Sequence, residues 1–298
     1  MNRRGNIKAI VFSIVFLLLA TCVRAQQADT TANEGVRNRR LRTLVIAGTV
    51  TYGAALAGLN ELWYKESSRQ SFAFFNDVKE WKQVDKVGHF FSAFYLSYGT
   101  EKLLQWSGVP DEKTVLPAAL TGFLLLLPIE IMDGFSSDYG ASAGDLAANA
   151  LGSALFFGQK KAWGEIRIYP KFSYHATDYP LIRPDALGDT FASRVIKDYN
   201  AQTYWLSVDA DKFFVFPKWL NLAVGYGVAD MPYALDRSNE RMGYDPYRQY
   251  YFSIDPDLTA IRTRSKFLRT ALTVLNVVKI PSPTIEFSRK GTHFHWFY

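Results

Sequence analysis

The chain has 298 residues, a formal net charge of +6, 15% aromatic residues with 17 Tyr and 7 Trp, and one cysteine. Arg3, Arg4, Lys8 and Arg24 supply four of those charges ahead of Gln26, with no acid among them, so the rest of the chain carries +2. That is too little for a nucleic-acid-binding surface, and no nucleic-acid motif appears.

Residues 1–25 read as a secretory signal. Arg3, Arg4 and Lys8 form the charged start, Ala9 to Ala20 the apolar stretch, and Val23-Arg24-Ala25 a cleavage site before Gln26. Cleavage after Ala25 is the expectation; lipidation at Cys22 and an uncleaved anchor are the alternatives, Thr21 being a poor residue before a lipidated cysteine. Cleavage would remove the only thiol, which suits an oxidising envelope compartment. Gln26 to Asn38 is polar, so residues 26–39 read as a flexible linker between the signal and the first apolar segment.

Four apolar segments come next: Thr43 to Asn60, Phe90 to Thr100 in a helix from near Asp85 to Gly108-Val109-Pro110, Thr114 to Ile129, and Leu146 to Gln159. A bilayer span wants about 20 apolar residues; the first segment is borderline and the other three fall short. Gly48, Gly53, Ala54, Ala57 and Gly58 suit close helix packing in a membrane, and equally a compact soluble bundle. A membrane-embedded or membrane-lying bundle over residues 40–160 is the expected arrangement.

After Trp163 the period changes to two. Leu220, Leu222, Val224, Tyr226 and Val228 alternate with Asn221, Ala223, Gly225 and Gly227, and similar alternation runs through Tyr250–Ile254 and Ile285–Phe287. Phe294, Trp296 and Tyr298 come after these. Arg264 to Lys279 reads as one amphipathic helix with Phe267, Leu268, Ala271, Leu272 and Leu275 on its apolar face. Five to seven strands are expected over residues 161–298, as a partial barrel or a sheet packed on helices, since an outer-membrane barrel needs at least eight. The fold class is therefore α+β, a helical bundle followed by an antiparallel β-rich region.

Three pairs of polar residues stand at helical spacing in the apolar segments: Asp85 with His89, Glu130 with Asp133, and Asp145 with Asn149. Residues three or four apart share a helix face, and an unpaired carboxylate in apolar surroundings costs several kcal/mol, roughly, unless it is hydrogen-bonded or holds a cation. The pairs are thus expected to meet. As a metal site, Asp85, His89, Glu130 and Asp145 would supply nitrogen and oxygen donors for Zn²⁺, Mn²⁺, Mg²⁺ or Ca²⁺. As an acid–base site, His89 would move a proton while Glu130 or Asp133 holds its tautomer. The structural alternative makes Asp85 and Asp145 helix N-caps and Asn149 a bridge between helices. Lys86 could attract a phosphate or remain solvated; His293 and His295 share one side of a strand near residue 298. Ser136 or Ser137 as a nucleophile has no support.

The run Asp85-Lys86-Val87-Gly88-His89-Phe90, then Glu130 and Asp133-Gly134-Phe135-Ser136, then Asp145 to Asn149 and Gly152, resembles the YfiM-type family of predicted periplasmic lipoproteins, a domain of unknown function. The same order is similar to the VanZ-like membrane proteins, with Asp133 where those carry Gln. The resemblance covers residues 85–158 and implies an envelope location and a helical bundle enclosing the motif, without a settled reaction. The expected function is an exported, membrane-associated envelope protein supporting lipid or cell-wall homeostasis, at the periplasmic face of the inner membrane or at the outer membrane. Its partner would be a membrane lipid or envelope component. The alternatives are a metal-dependent hydrolase or transferase acting on an amphipathic envelope substrate, and an outer-membrane structural or assembly component.

Overall fold

The computed structural model describes residues 34–61 and 67–298; the signal, Cys22, Ala25 and linker residues up to 33 lie outside these. The described chain is α+β, helical in its N-terminal half with a six-stranded antiparallel sheet in its C-terminal region. It divides into two compact units, residues 92–160 with those up to 76, and residues 77–91 with 161–298.

In the first unit, helix α1 spans Glu34–Leu59, so residues 34–39 of the expected linker are helical. Glu34 places an acid in the first turn, where the helix dipole favours it, and pairs with Arg37 at 3.3 Å. Helix α2, Val84–Ser107, starts in the second unit and continues into this one. It stops before Gly108, which takes the left-handed φ of 91° that a side chain would resist. The apolar run from Thr114 to Ile129 forms two helices rather than one: α3, Asp111–Leu124, and α4, Leu127–Gly134. Pro128 accounts for the break, since it has no N–H to donate to the preceding turn and fits the first turn of a new helix. Helix α5 spans Ala143–Trp163.

By length and composition, α1 and the stretch Asp111–Gly134 are each apolar enough to cross a membrane. The second of these corrects the reading that the segment around Thr114 is too short. Helices α2 and α3 approach closely at Gly122, where a Cβ would lie 2.0 Å from Ser97 Oγ and 2.5 Å from the Ala93 carbonyl oxygen. Ala93, Phe94, Ala118, Ala119 and Phe156 are buried around this contact. Glu101 on α2, with its side chain 1% exposed, pairs with Lys160 on α5 at 2.8 Å. Such a pair keeps two charges tolerable in an apolar bundle.

In the second unit the strands β1 (Ile168–Tyr174), β2 (Gln202–Val208), β3 (Leu220–Ala229), β4 (Tyr247–Pro256), β5 (Thr284–Ser288) and β6 (Gly291–His295) lie in sheet order identical to chain order. The amphipathic helix α6 spans Lys266–Leu275 and is capped by Ser265, whose hydroxyl accepts the Leu268 N–H at 3.3 Å. The β1 edge of the sheet is tied to the segment 277–279. Phe172 of β1 donates to the Val277 carbonyl at 3.0 Å and accepts from Lys279 N at 2.9 Å, while Ser282 and Tyr298 exchange N–H···O bonds of 3.3 Å that extend the β5–β6 pairing. The result is a six-stranded antiparallel sheet with β1 and β6 at its ends.

Its buried face is the polar one. Lys171 and Asp255, each with a side chain 0% exposed, pair at 2.7 Å. Lys171 also donates to Asn276 at 2.9 Å, and Ser207 donates to Asp255 at 2.6 Å. Lys279 Nζ sits 4.7 Å from the centre of the Trp205 ring, and Tyr298 donates to the Tyr251 hydroxyl at 2.6 Å. Gly225 is required here, because a Cβ would meet the Trp205 ring at 2.6 Å.

Candidate functional site

Two groups of acidic residues, one in each unit, hold the residues singled out by spacing. In the first unit, α4 is short and carries Glu130 in its first turn. Ser142 precedes α5 and sets the geometry in two ways. Its backbone N–H donates to Glu130 Oε2 at 3.1 Å, and its hydroxyl accepts the Asp145 N–H at 3.1 Å. Ser142 is therefore the N-cap of α5, and Asp145 sits inside the first turn, which corrects the capping alternative for Asp145. A carboxylate oxygen of Glu130 and one of Asp145 lie within 4.8 Å of each other. Both residues are buried, and Asn149, one turn beyond Asp145, is fully buried. Divalent cations bind oxygen at about 2.0–2.6 Å, so two carboxylate oxygens at this separation can lie on either side of one ion.

Asp133 is half-buried and outside the closely spaced groups found among the described residues. Burial raises the pKa of Tyr139, and the charges of Asp133 and Asp138 add to the rise. Ser136, also named from the sequence, lies in the turn after α4, where its hydroxyl is 2.6 Å from that of Ser67.

In the second unit, Trp81, Lys82 and Gln83 all take left-handed backbone angles, with φ of 46°, 47° and 69°, immediately before α2. The surroundings impose this strained entry. Trp81 N donates to the Ala234 carbonyl at 2.8 Å, Lys82 pairs with Asp236 at 2.7 Å, and Tyr226 donates its hydroxyl proton to the Lys82 carbonyl. Asp85 then falls in the first turn of α2 rather than at its cap. Oxygens of Asp77 and Asp85 lie within 4.8 Å of each other. Lys86 Nζ is 2.9 Å from Asp85 Oδ2 and also pairs with Asp77, so this ammonium is neutralised rather than solvated. His89, half-buried, follows Asp85 by one turn on the same face. Gly88 is explained by packing, since a Cβ there would come within 2.9 Å of the Tyr204 hydroxyl.

His295 is held by Glu286, Nε2 to Oε2 at 2.9 Å, and His293 is exposed. Spacing alone does not find Ser142 or the Glu101–Lys160 pair. A Ser two residues before Gly144-Asp145 is the available signal for the first. A lone Glu in an apolar helix is the signal for the second.

No curated protein and no solved structure matches this chain. Residues 73–158, less than a third of the chain, match the family described as "Predicted periplasmic lipoprotein (DUF2279)". That stretch contains Asp85, Lys86, His89, Glu130, Asp133, Asp145 and Asn149, and the similarity places this part of the chain alongside an envelope family of unknown activity.

Proposed function

We propose that the protein is an exported envelope protein held at a membrane by its apolar helices, where it supports lipid or cell-wall homeostasis. One observation carries the membrane part. Helix α1 is long and apolar enough to span, yet nearly all of it faces outward, with Val45, Ile46 and Val50 at least 60% exposed. In water such a surface is costly at roughly 25 cal/mol per Å² of apolar area. In lipid that cost disappears. The similarity to periplasmic lipoproteins supports the export, and the finer likeness to YfiM-type and VanZ-like proteins belongs to this reading. Attachment at the periplasmic face of the inner membrane or at the outer membrane both agree with it. Extraction of membranes with high salt and then alkaline carbonate tests attachment: the protein should stay in the pellet, and complete release would overturn the reading.

A second reading is favoured by the two buried carboxylates. Glu130 and Asp145 bracket a divalent cation. Asp133, on the same helix as Glu130, then serves as acid–base group on an amphipathic envelope substrate. A cation held between carboxylates supplies Lewis acidity or an activated water for hydrolysis or group transfer. Calorimetric titration of the purified protein with Mn²⁺, Zn²⁺ and Ca²⁺ is the direct test, and absence of binding by all three would remove this reading.

A further inference from the structure

The sheet of the second unit is inverted relative to that of a water-soluble domain. Antiparallel sheets in water bury their apolar face and wet their polar one. Here Lys171, Ser207, Asn221, Ser253, Asp255 and Thr284 are buried on the inner face. The outer face carries Leu206, Val224, Tyr250, Phe252, Phe287 and Phe294, which are 37–55% exposed.

The strand register arranges the outer residues in rows. Pro170 stands opposite Leu206, Leu206 opposite Val224, Val224 opposite Phe252, Phe252 opposite Ile285, and Ile285 opposite Phe294. One apolar row thus crosses all six strands, buried at Pro170 on β1 and exposed at Leu206, Val224, Phe252 and Phe294. Two residues along, Phe172, Tyr204, Tyr226, Tyr250 and Phe287 form a second row of tyrosine and phenylalanine, in which Phe172 and Tyr204 pack on Phe91, Tyr226 packs on Val84, and Tyr250 and Phe287 are exposed. Two residues further on β4 stands Arg248, exposed. In the other direction come Ile168, Val208, Leu222 and Ile254, and then the rim of the β2–β3 connection. That rim exposes Phe213, Phe214 and Trp219, and Arg167 lies over the rings of Trp163 and Phe213 at 5.1 and 5.6 Å.

We propose that this outer face is a lipid-contacting belt, with the acyl chains of a bilayer as its occupant and the two aromatic rims at headgroup level. An aliphatic band between aromatic girdles around a polar, hydrogen-bonded interior is the pattern lipid selects in membrane barrels. From Tyr226 to Trp219 the chain advances seven residues, roughly 24 Å along the strand at about 3.4 Å each, or about 17 Å after a tilt of about 45°, slightly more than one leaflet of a bilayer core of about 30 Å. Helix α6 of the same unit carries a second apolar surface. It exposes Phe267, Leu268 and Leu275, and Arg264, Lys266 and Arg269 accompany them, as on helices that lie at lipid headgroups. A soluble partner would need only one patch, whereas this row runs across every strand of the sheet.

The inference rests on the membrane reading above, and one experiment separates their failures. Full-length protein lacking Cys22 and carrying Arg248→Cys, Tyr250→Cys or Phe252→Cys is labelled with an environment-sensitive fluorophore. It is then reconstituted into phosphatidylcholine vesicles and floated on a density gradient. All three positions are exposed, so the substitutions spare the core. Nitroxides on the acyl chains should quench in the order Phe252 above Tyr250 above Arg248, with the Phe252 label losing most of its emission, and aqueous iodide should give the reverse order. Vesicles that float with the protein while iodide reaches Phe252 freely would overturn the belt and leave helix attachment standing. Shielding of all three labels from both quenchers, lost on dilution, would overturn it in favour of a second copy of the chain. Failure to float would overturn both readings.

Discussion

The pair Glu130 and Asp145 makes a prediction whose sign changes with the medium. Two ionised oxygens within 4.8 Å of each other repel by about 3.5 kcal/mol or more at an effective dielectric constant of 20, before the Ser142 N–H that donates to Glu130 and other partners offset part of the charge. Glu130→Gln removes that repulsion and leaves a carbonyl that can still accept from Ser142. In EDTA the variant should therefore be at least as stable as the wild type. A cation at about a hundred times its Kd stabilises the wild type by about 2.7 kcal/mol. For a chain of this size that corresponds to roughly 5 °C in Tm. The same ion should leave Glu130→Gln where it was, so the order of stabilities reverses between EDTA and saturating Mn²⁺, Zn²⁺ or Ca²⁺. Differential scanning fluorimetry in a mild detergent reads both states. A wild type indifferent to all three ions, together with a variant that is destabilised in EDTA, would refute the reasoning. The carboxylate would then be a hydrogen-bond acceptor for the cap of α5 and nothing more.

Three further outcomes follow from the packing. Lys171→Met should cost about 3–5 kcal/mol, because it strands the Asp255 charge in a dry interior, and Lys171→Met with Asp255→Leu should cost less than the two singles added, as measured by urea midpoints. Gly122→Ala should lose about 1–3 kcal/mol, since the new methyl meets the Ala93 carbonyl oxygen as well as a movable hydroxyl, and the same denaturation experiment checks it. Burial raises the pKa of Asp198 despite hydrogen bonds from Thr177 and Asn200, so the native state binds its proton more tightly than the unfolded chain. Its stabilisation is complete below the ordinary carboxylate pKa of about 3.9 and is lost as pH rises through the raised value, so Asp198→Asn should flatten that part of a stability–pH curve.

Period-two alternation locates β3 to β5 because their outer residues are nearly all apolar, but not β6, of which only Phe294 stands out. It does not locate β1 and β2, where Pro170, Lys171, Gln202 and Thr203 interrupt the pattern. A lysine in a strand ordinarily faces water, and nothing in the local sequence says that Lys171 has Asp255 as its buried partner. The split of α3 from α4 is legible at Pro128, although continuous hydropathy hides it. Glu130 and Asp145 are legible as carboxylates placed in apolar runs. Spacing alone groups Asp133 with Glu130, yet three residues turn a helix through about 300°, which puts Asp133 to one side of the buried line. Ser142 is masked by the more strongly charged Asp145, the obvious cap. The tie of β1 to the segment 277–279, by contrast, depends on hydrogen bonds between residues about a hundred positions apart, which no local pattern carries.

The agreement of sheet order with chain order also sets an order of assembly. Strands β5 and β6 are joined only by Arg289 and Lys290, with Gly291 at a φ of 122° completing the turn. The connections through residues 175–201 and 257–283 are far longer, and closing either costs about 2 kcal/mol more in chain entropy. The β5–β6 hairpin is therefore the natural nucleus, and pairing spreads from it towards β1. The tie between Phe172 and the segment 277–279 spans the greatest length of chain, so it comes last. Until it forms, β1 presents an open row of N–H and C=O groups, the feature through which strand edges of separate chains join. A copy delayed at that stage is the species most prone to aggregate, even when its other five strands are already correctly paired.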